Sequence, residues 1–157
     1  ELVEPIDSVQ FCFSKSLGAP VGSMICGTRE FVDEARGARK VLGGGLRQAG
    51  VIAAPAQVAL DTGVERLAED HANARLIAET LAELPGISVD LATVQTNMVY
   101  FALEREDTDA PGLCQALGVC DILASARDET NIRFVTHAQV TQSDAERVCE
   151  ALEEILG

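Results

Sequence analysis

Hydrophobic and polar positions change their period twice along this chain, and the changes mark out its elements. Val9-Gln10-Phe11-Cys12-Phe13 is β-prone and runs into a Ser-Lys-Ser turn, and a second apolar run, Val21 to Cys26, is bounded by Gly22 and Gly27. Lys15 is therefore predicted in a strand-to-strand connection. Thr28 is a candidate N-cap for a helix reaching about Val41, with Phe31, Ala35 and Ala38 at helical spacing, and Gly43-Gly44-Gly45 stops it. Arg47 to Leu60, rich in Ala, Val and Ile, predicts a helix buried on most sides and bent near Pro55. Val64 to Leu84 predicts an amphipathic helix ended by Pro85-Gly86. Its apolar stripe is Leu67, Ile77, Leu81 and Leu84, and Glu65, Arg66, Glu69, Asp70, Glu79 and Glu83 take polar positions.

Past Gly86 the period shortens. Ile87 to Leu91, Asn97 to Leu103 and Asn131 to Val135 predict strands, Ile122 to Ala124 a further short one, and Asp109 to Leu117 a helix closed by Gly118. Ser143 with Glu146 forms the capping-box pattern for a last helix whose stripe is Val148, Ala151, Leu152 and Ile155. The fold class is α/β, with helices packed on one side of a small sheet. No repeat or low-complexity tract interrupts it. A boundary falls most naturally between Gly45 and Val64, where strand-and-turn sequence gives way to long helices; we set the parts at 1–52 and 53–157.

At 157 residues the chain is long enough to bury a domain core. Acidic residues outnumber basic ones 25 to 12, and the net charge of -13 repels nucleic acid and anionic membrane surfaces. No apolar stretch has the length of a membrane span, and no secretory leader precedes the folded pattern. The first residue is Glu1 rather than Met, from which processing or truncation of the start is expected. The cysteines, Cys12, Cys26, Cys114, Cys120 and Cys149, are odd in number and form no C-x-x-C pair, so no metal site is expected; they read as buried thiols in a reducing, cytoplasmic setting.

Lys15 stands between an apolar strand and a Gly-rich turn. By composition alone it reads as a solvated loop lysine; to attack a carbonyl it must be uncharged, which takes a desolvated or cationic surrounding. Gly43 to Arg47 brings side-chain-free backbone and a cation to a helix start, which suits either an anion or a flexible connector. Lys40 belongs to a basic cluster with Arg36 and Arg39 at a helix C-terminus, where cations are favoured. Arg133, in Ile132-Arg133-Phe134-Val135, shares a face with Val135 and requires an anionic partner, a ligand or a structural carboxylate. His71, His137 and Asn97 read as structural hydrogen-bonding groups.

The segment Ser14-Lys15-Ser16-Leu17-Gly18-Ala19-Pro20-Val21-Gly22-Ser23 resembles the cofactor-lysine motif of the threonine aldolases, which are fold-type-I pyridoxal-phosphate enzymes; the usual family residue after the lysine is Gly, where this chain has Ser16. The resemblance continues in order through Arg39 to Gly50, Glu65 to His71, Gln95-Thr96-Asn97-Met98 and Arg133-Phe134-Val135-Thr136-His137, nearly the whole chain. It implies that 1–52 ends a large cofactor-binding domain and that 53–157 holds connecting helices and a small α+β C-terminal domain. It implies pyridoxal 5'-phosphate on Lys15, a cofactor phosphate contacted by Arg47 from a neighbouring subunit, Lys40 near the active site, and a substrate α-carboxylate on Arg133. The implied reaction is cleavage of L-threonine, L-allo-threonine or a related β-hydroxy amino acid to glycine and an aldehyde, in a homo-oligomer (dimer or tetramer). The family's phosphate cup, stacking ring and acid for the ring nitrogen precede the lysine, so the chain alone is expected to be nearly inactive. The rivals are another fold-type-I activity, a β-eliminating lyase or an aminotransferase, and a non-catalytic oligomerisation module.

Overall fold

A computed structural model describes residues 2–157, in two compact units that meet in sequence at Glu65 and Arg66. The first unit opens with an antiparallel ribbon, β1 (Ser8–Cys12) and β2 (Ser23–Gly27), in a register that pairs Cys12 with Ser23 and Ser8 with Gly27. Helix α1 (Arg29–Val41) follows, and the Thr28 hydroxyl accepts the Phe31 N–H at 3.2 Å, as its position before the apolar spacing predicts. Its end is a Schellman motif: Gly44 N–H donates to Arg39 O at 2.8 Å and Gly43 N–H to Lys40 O at 3.2 Å. Gly43 takes φ 87°, a conformation that only glycine adopts without strain.

Helix α2 (Gly50–Gly63) starts three residues later than its sequence suggests, and it is not buried on most sides. Only Ala56, Ala59 and Gly63 are covered, while Val51, Val58 and Leu60 stay exposed. The reason is the size of the core: in this unit it consists of Phe13, Ala19, Ala56 and Ala59 with Phe11 and Leu17 against them, enough to cover one stripe of the helix.

The second unit is a four-stranded antiparallel sheet of order β3-β4-β6-β5, from β3 (Ile87–Ser88), β4 (Met98–Leu103), β5 (Ser125–Ala126) and β6 (Asn131–Val135). Helices α3 (Leu67–Glu83), α4 (Ala110–Val119) and α5 (Gln142–Leu156) cover one face of it. Strand periodicity decides which residues they meet: Val99, Phe101, Leu103, Ile132 and Phe134 point to the helices, and the Phe101 and Phe134 rings meet edge to face with centroids 5.1 Å apart. The opposite face carries Met98, Tyr100, Arg133 and Val135.

Local signals misplace several boundaries in this unit. The capping box of α5 is Thr141 with Asp144, not Ser143 with Glu146: the Thr141 hydroxyl accepts the Asp144 N–H while the Asp144 carboxylate accepts the Thr141 N–H at 3.0 Å. Helix α4 runs through Gly118 and stops near Asp121, which sits at φ 60°. The short strand lies at Ser125–Ala126 rather than Ile122–Ala124, because pairing to Ile132 and Arg133 fixes it. Of the five cysteines, all unpaired, only Cys149 is buried; Cys12 and Cys114 are half-buried and Cys26 and Cys120 exposed. Among the described residues no helix is long and apolar enough to cross a membrane.

Candidate active site

The connection between β1 and β2 is a closed loop rather than a loose one. Phe13 N–H donates to Gly22 O at 3.0 Å and Ala19 N–H to Phe13 O at 2.9 Å, and within the loop Gly18 N–H donates to Lys15 O at 2.8 Å. Gly18 at φ 77° and Gly22 at φ 123° supply the left-handed turns, while Ser16 keeps an ordinary negative φ, so serine costs no backbone strain there. Phe13 and Ala19 anchor the loop in the core against Ala56 and Ala59 of α2. Gly63 comes so close beneath that a Cβ on it would sit 3.2 Å from Leu17 O. The result is a fixed turn with Lys15 exposed at its tip, and among the described residues nothing hydrogen-bonds or ion-pairs with its ammonium.

Cys12, two residues before that turn, faces the Ser14 hydroxyl with 3.0 Å between sulfur and oxygen. Hydrogen bonding to Ser14, side chain first and backbone second, holds the thiol below its ordinary pKa; the nearby positive charge of Lys15 is a smaller contribution. Lys40 and Arg47 belong to the same unit. The Lys40 stem lies across Gly45, where a Cβ would come within 2.8 Å of Nζ, so the triple glycine makes room for this lysine as well as ending α1. Arg47 is exposed in the turn that leads into α2. No hydrogen bond or ion pair among the described residues joins Lys15, Lys40 and Arg47 to one another.

Arg133 lies in the second unit at the centre of β6, half-buried, with Ile132 and Phe134 on either side turned into the core. Its Nε is buried and meets no acceptor among the described residues. A donor withdrawn from water with nothing to bond is costly. Directly across the sheet lie Tyr100 on one side and Ser125 on the other. Neither is distinguishable in the sequence as a neighbour of Arg133, because strand register is what places them there.

The segment after β6 is tied down from two directions. Thr136, buried, donates its hydroxyl to Asp70 O at 2.6 Å and its N–H to Asn97 O at 3.0 Å, and the Asn97 amide donates to Thr136 O at 2.7 Å. Asn97 thus fixes backbone, as its strand position suggests. Asp70, one of the polar positions of α3, is 1% exposed, and Arg66 grips both its oxygens at 2.6 and 3.0 Å. Asn73, one turn on, donates to Val140 O at 2.9 Å. His137 is exposed, and its Nδ1 accepts the Gln139 N–H at 3.3 Å; His71 is half-buried on α3. A cavity of about 300 Å³ opens beside His137, floored by Ile77 and Phe134, and does not include Arg133.

A fixed lysine turn, a glycine-opened basic segment and an orphaned strand arginine are parts that many folds could carry. What decides the family is that residues 1–104 match the family model of the beta-eliminating lyases. The chain belongs to the beta-eliminating lyase family. That match contains Lys15, Lys40, Arg47 and Tyr100. The chain is 45% identical to low-specificity L-threonine aldolase 1 of Arabidopsis thaliana over 145 residues, 92% of this chain and 40% of the relative. It is 36% identical to the low specificity L-threonine aldolase of Escherichia coli K12, over 94% of this chain and 42% of that protein. This member of the beta-eliminating lyases therefore spans less than half the length of these curated relatives.

Solved structures agree on the fold. A putative L-allo-threonine aldolase from Listeria monocytogenes superposes with a TM-score of 0.73 at 21% identity, over 96% of this chain and 45% of that one. A phosphoserine aminotransferase from Cytophaga hutchinsonii gives 0.68 at 16% identity, over 99% and 51%. The mixed α/β architecture is that of the fold-type-I enzymes.

Proposed function

We propose that this chain is the part of a pyridoxal-phosphate-dependent threonine aldolase that carries the cofactor lysine and the arginine for the substrate's carboxylate. The observation that carries the reading is the 45% identity to a threonine aldolase across 92% of the chain. The local geometry is compatible with it. Lys15 stands exposed on a turn held by backbone hydrogen bonds, with no hydrogen-bonding or ion-pairing partner among the described residues, so its amine is open to approach by an aldehyde. When bound, the cofactor supplies an electron sink for the carbon bond that breaks.

The chain's own residues have the following roles. Lys15 holds the cofactor. Arg47 gives a cation to the cofactor's phosphate, completed from a neighbouring subunit, and Lys40 adds positive potential beside it. Arg133 uses its unpaired Nε and the rest of its planar fork to hold the α-carboxylate of a β-hydroxy amino acid, L-threonine or L-allo-threonine. The Cα–Cβ bond then breaks, the β-hydroxyl proton leaves to a base, the aldehyde departs and Cα regains a proton to give glycine. Exposed Val51, Val58 and Leu60 on α2 support a homo-oligomer, and five unpaired cysteines suit a reducing cytoplasm.

The test is product analysis on the complete protein. Supplied with L-threonine and cofactor, it should release glycine and acetaldehyde in equal amounts, and Lys15→Ala should abolish both the turnover and the visible absorbance of the bound cofactor. 2-Oxobutanoate with ammonia as the main product would replace this reading with an eliminating lyase, and 3-hydroxy-2-oxobutanoate would replace it with an aminotransferase. A complete protein that takes up no cofactor would leave only the oligomerisation module.

A further inference from the structure

Two hydrogen-bond donors with unmet capacity stand side by side on the open face of the second unit's sheet. The register of β4 and β6 sets Tyr100 directly opposite Arg133. Opposed residues in an antiparallel pair have Cβ atoms about 4.5–5.5 Å apart and share one face. That face is the one away from the helices, because the neighbours of each residue, Val99 and Phe101 on β4 and Ile132 and Phe134 on β6, are all buried beneath it. Arg133 Nε is buried there without an acceptor. Tyr100 is half exposed, and its hydroxyl meets only the Met98 sulfur, at 3.9 Å, a weak acceptor at long range.

We propose that Tyr100 is a second substrate-binding residue, whose phenol O–H donates to the same carboxylate that Arg133 holds. The inference rests on the reading of Arg133 given above and deepens it. A carboxylate has two oxygens and about four acceptor sites, so it can satisfy a guanidinium fork and a phenol together. Phe101, one position on, shows that the strand accepts phenylalanine where a ring alone is required; at position 100 the added hydroxyl is carried on the open face, where it has no structural bond to make beyond the sulfur. Met98 and Val135 flank the pair on the same face and are themselves exposed, so the pair is open to a ligand.

The experiment compares Tyr100→Phe, Arg133→Ala and the double variant in the complete enzyme. Glycine dissociation constants are read by calorimetry, and KM and kcat with L-threonine. Tyr100→Phe keeps the ring and the fold. It should weaken glycine binding and raise KM by about tenfold to a hundredfold, the range of one hydrogen bond to a charged group, with kcat changed less than about twofold. In the Arg133→Ala background the same substitution should weaken glycine binding by less than about twofold, because the carboxylate is no longer seated. Unchanged glycine binding in Tyr100→Phe, with binding lost in Arg133→Ala, overturns the role of Tyr100 and leaves Arg133 in place. A full Tyr100 effect in both backgrounds also overturns it, since the phenol would then act on another group. Unchanged binding in Arg133→Ala removes the carboxylate site, and this inference with it.

Discussion

Replacing Arg66 with alanine should destabilise the second unit strongly. The carboxylate of Asp70 is 1% exposed, whereas the Arg66 side chain that grips it is 25% exposed. Breaking a buried pair by removing one partner costs about 3–5 kcal/mol, chiefly because a charge is left without compensation. Water can enter through the side from which Arg66 is removed, so the lower end applies, about 3 kcal/mol. Asp70→Asn keeps the shape and one acceptor and leaves a cation that can turn to water; about 1–2 kcal/mol is expected. The double variant Arg66→Met with Asp70→Leu should recover most of the loss, because apolar replacement of both partners is often neutral. Urea unfolding of the chain followed by far-ultraviolet circular dichroism reads all of these. With a slope of about 1.5 kcal/mol/M, Arg66→Ala lowers the midpoint by about 2 M. A loss under about 1 kcal/mol for Arg66→Ala, or a double variant equal to the sum of its single changes, would refute the reasoning.

Two further stability predictions follow from local geometry. Thr141→Ala should cost about 1 kcal/mol through loss of the α5 cap, while Ser143→Ala should stay within about 0.5 kcal/mol; thermal melts showing the reverse order would move the helix start. Asp128 accepts the N–H groups of Thr130 and Asn131, which hold its carboxyl down to about 2. A depressed carboxyl contributes stability above the ordinary value of about 3.9, and that contribution disappears as pH falls through the folded value. The melting-temperature gap between the parent chain and Asp128→Ala should therefore be constant above pH 5 and close between about pH 4 and pH 2, and a gap that persists at pH 2 would count against this turn.

Much of this was legible where signals are local. Thr28, the triple glycine and Pro85-Gly86 each act within one turn of a helix end, and their effect is where the sequence places it; Gly86 indeed takes φ 72°. The alternation in Asn131–Val135 turned Arg133 to the open face for the same reason. Features created by distant partners were not legible. Asp70 reads as a polar helix position, and nothing local shows that its backbone carbonyl accepts from Thr136, 66 residues along the chain. The apolar composition of α2 suggests a buried helix, yet the loop between β1 and β2 covers only its alanine stripe. Ser143 with Glu146 fits a capping pattern in the sequence, yet the backbone sets the cap two residues earlier, at Thr141. Lys15 reads by composition as a solvated loop lysine and is singled out by the resemblance of its segment to a cofactor-lysine motif, whereas Tyr100 needs the strand register to bring it beside Arg133.

In the proposed function the Lys15 amine is the one that bonds to the cofactor. Borohydride reduction of the complete, cofactor-loaded protein followed by peptide mapping tests it directly. The added mass should lie wholly on the peptide containing Ser14-Lys15-Ser16, and label on Lys40 or on a lysine elsewhere in the protein would contradict the account.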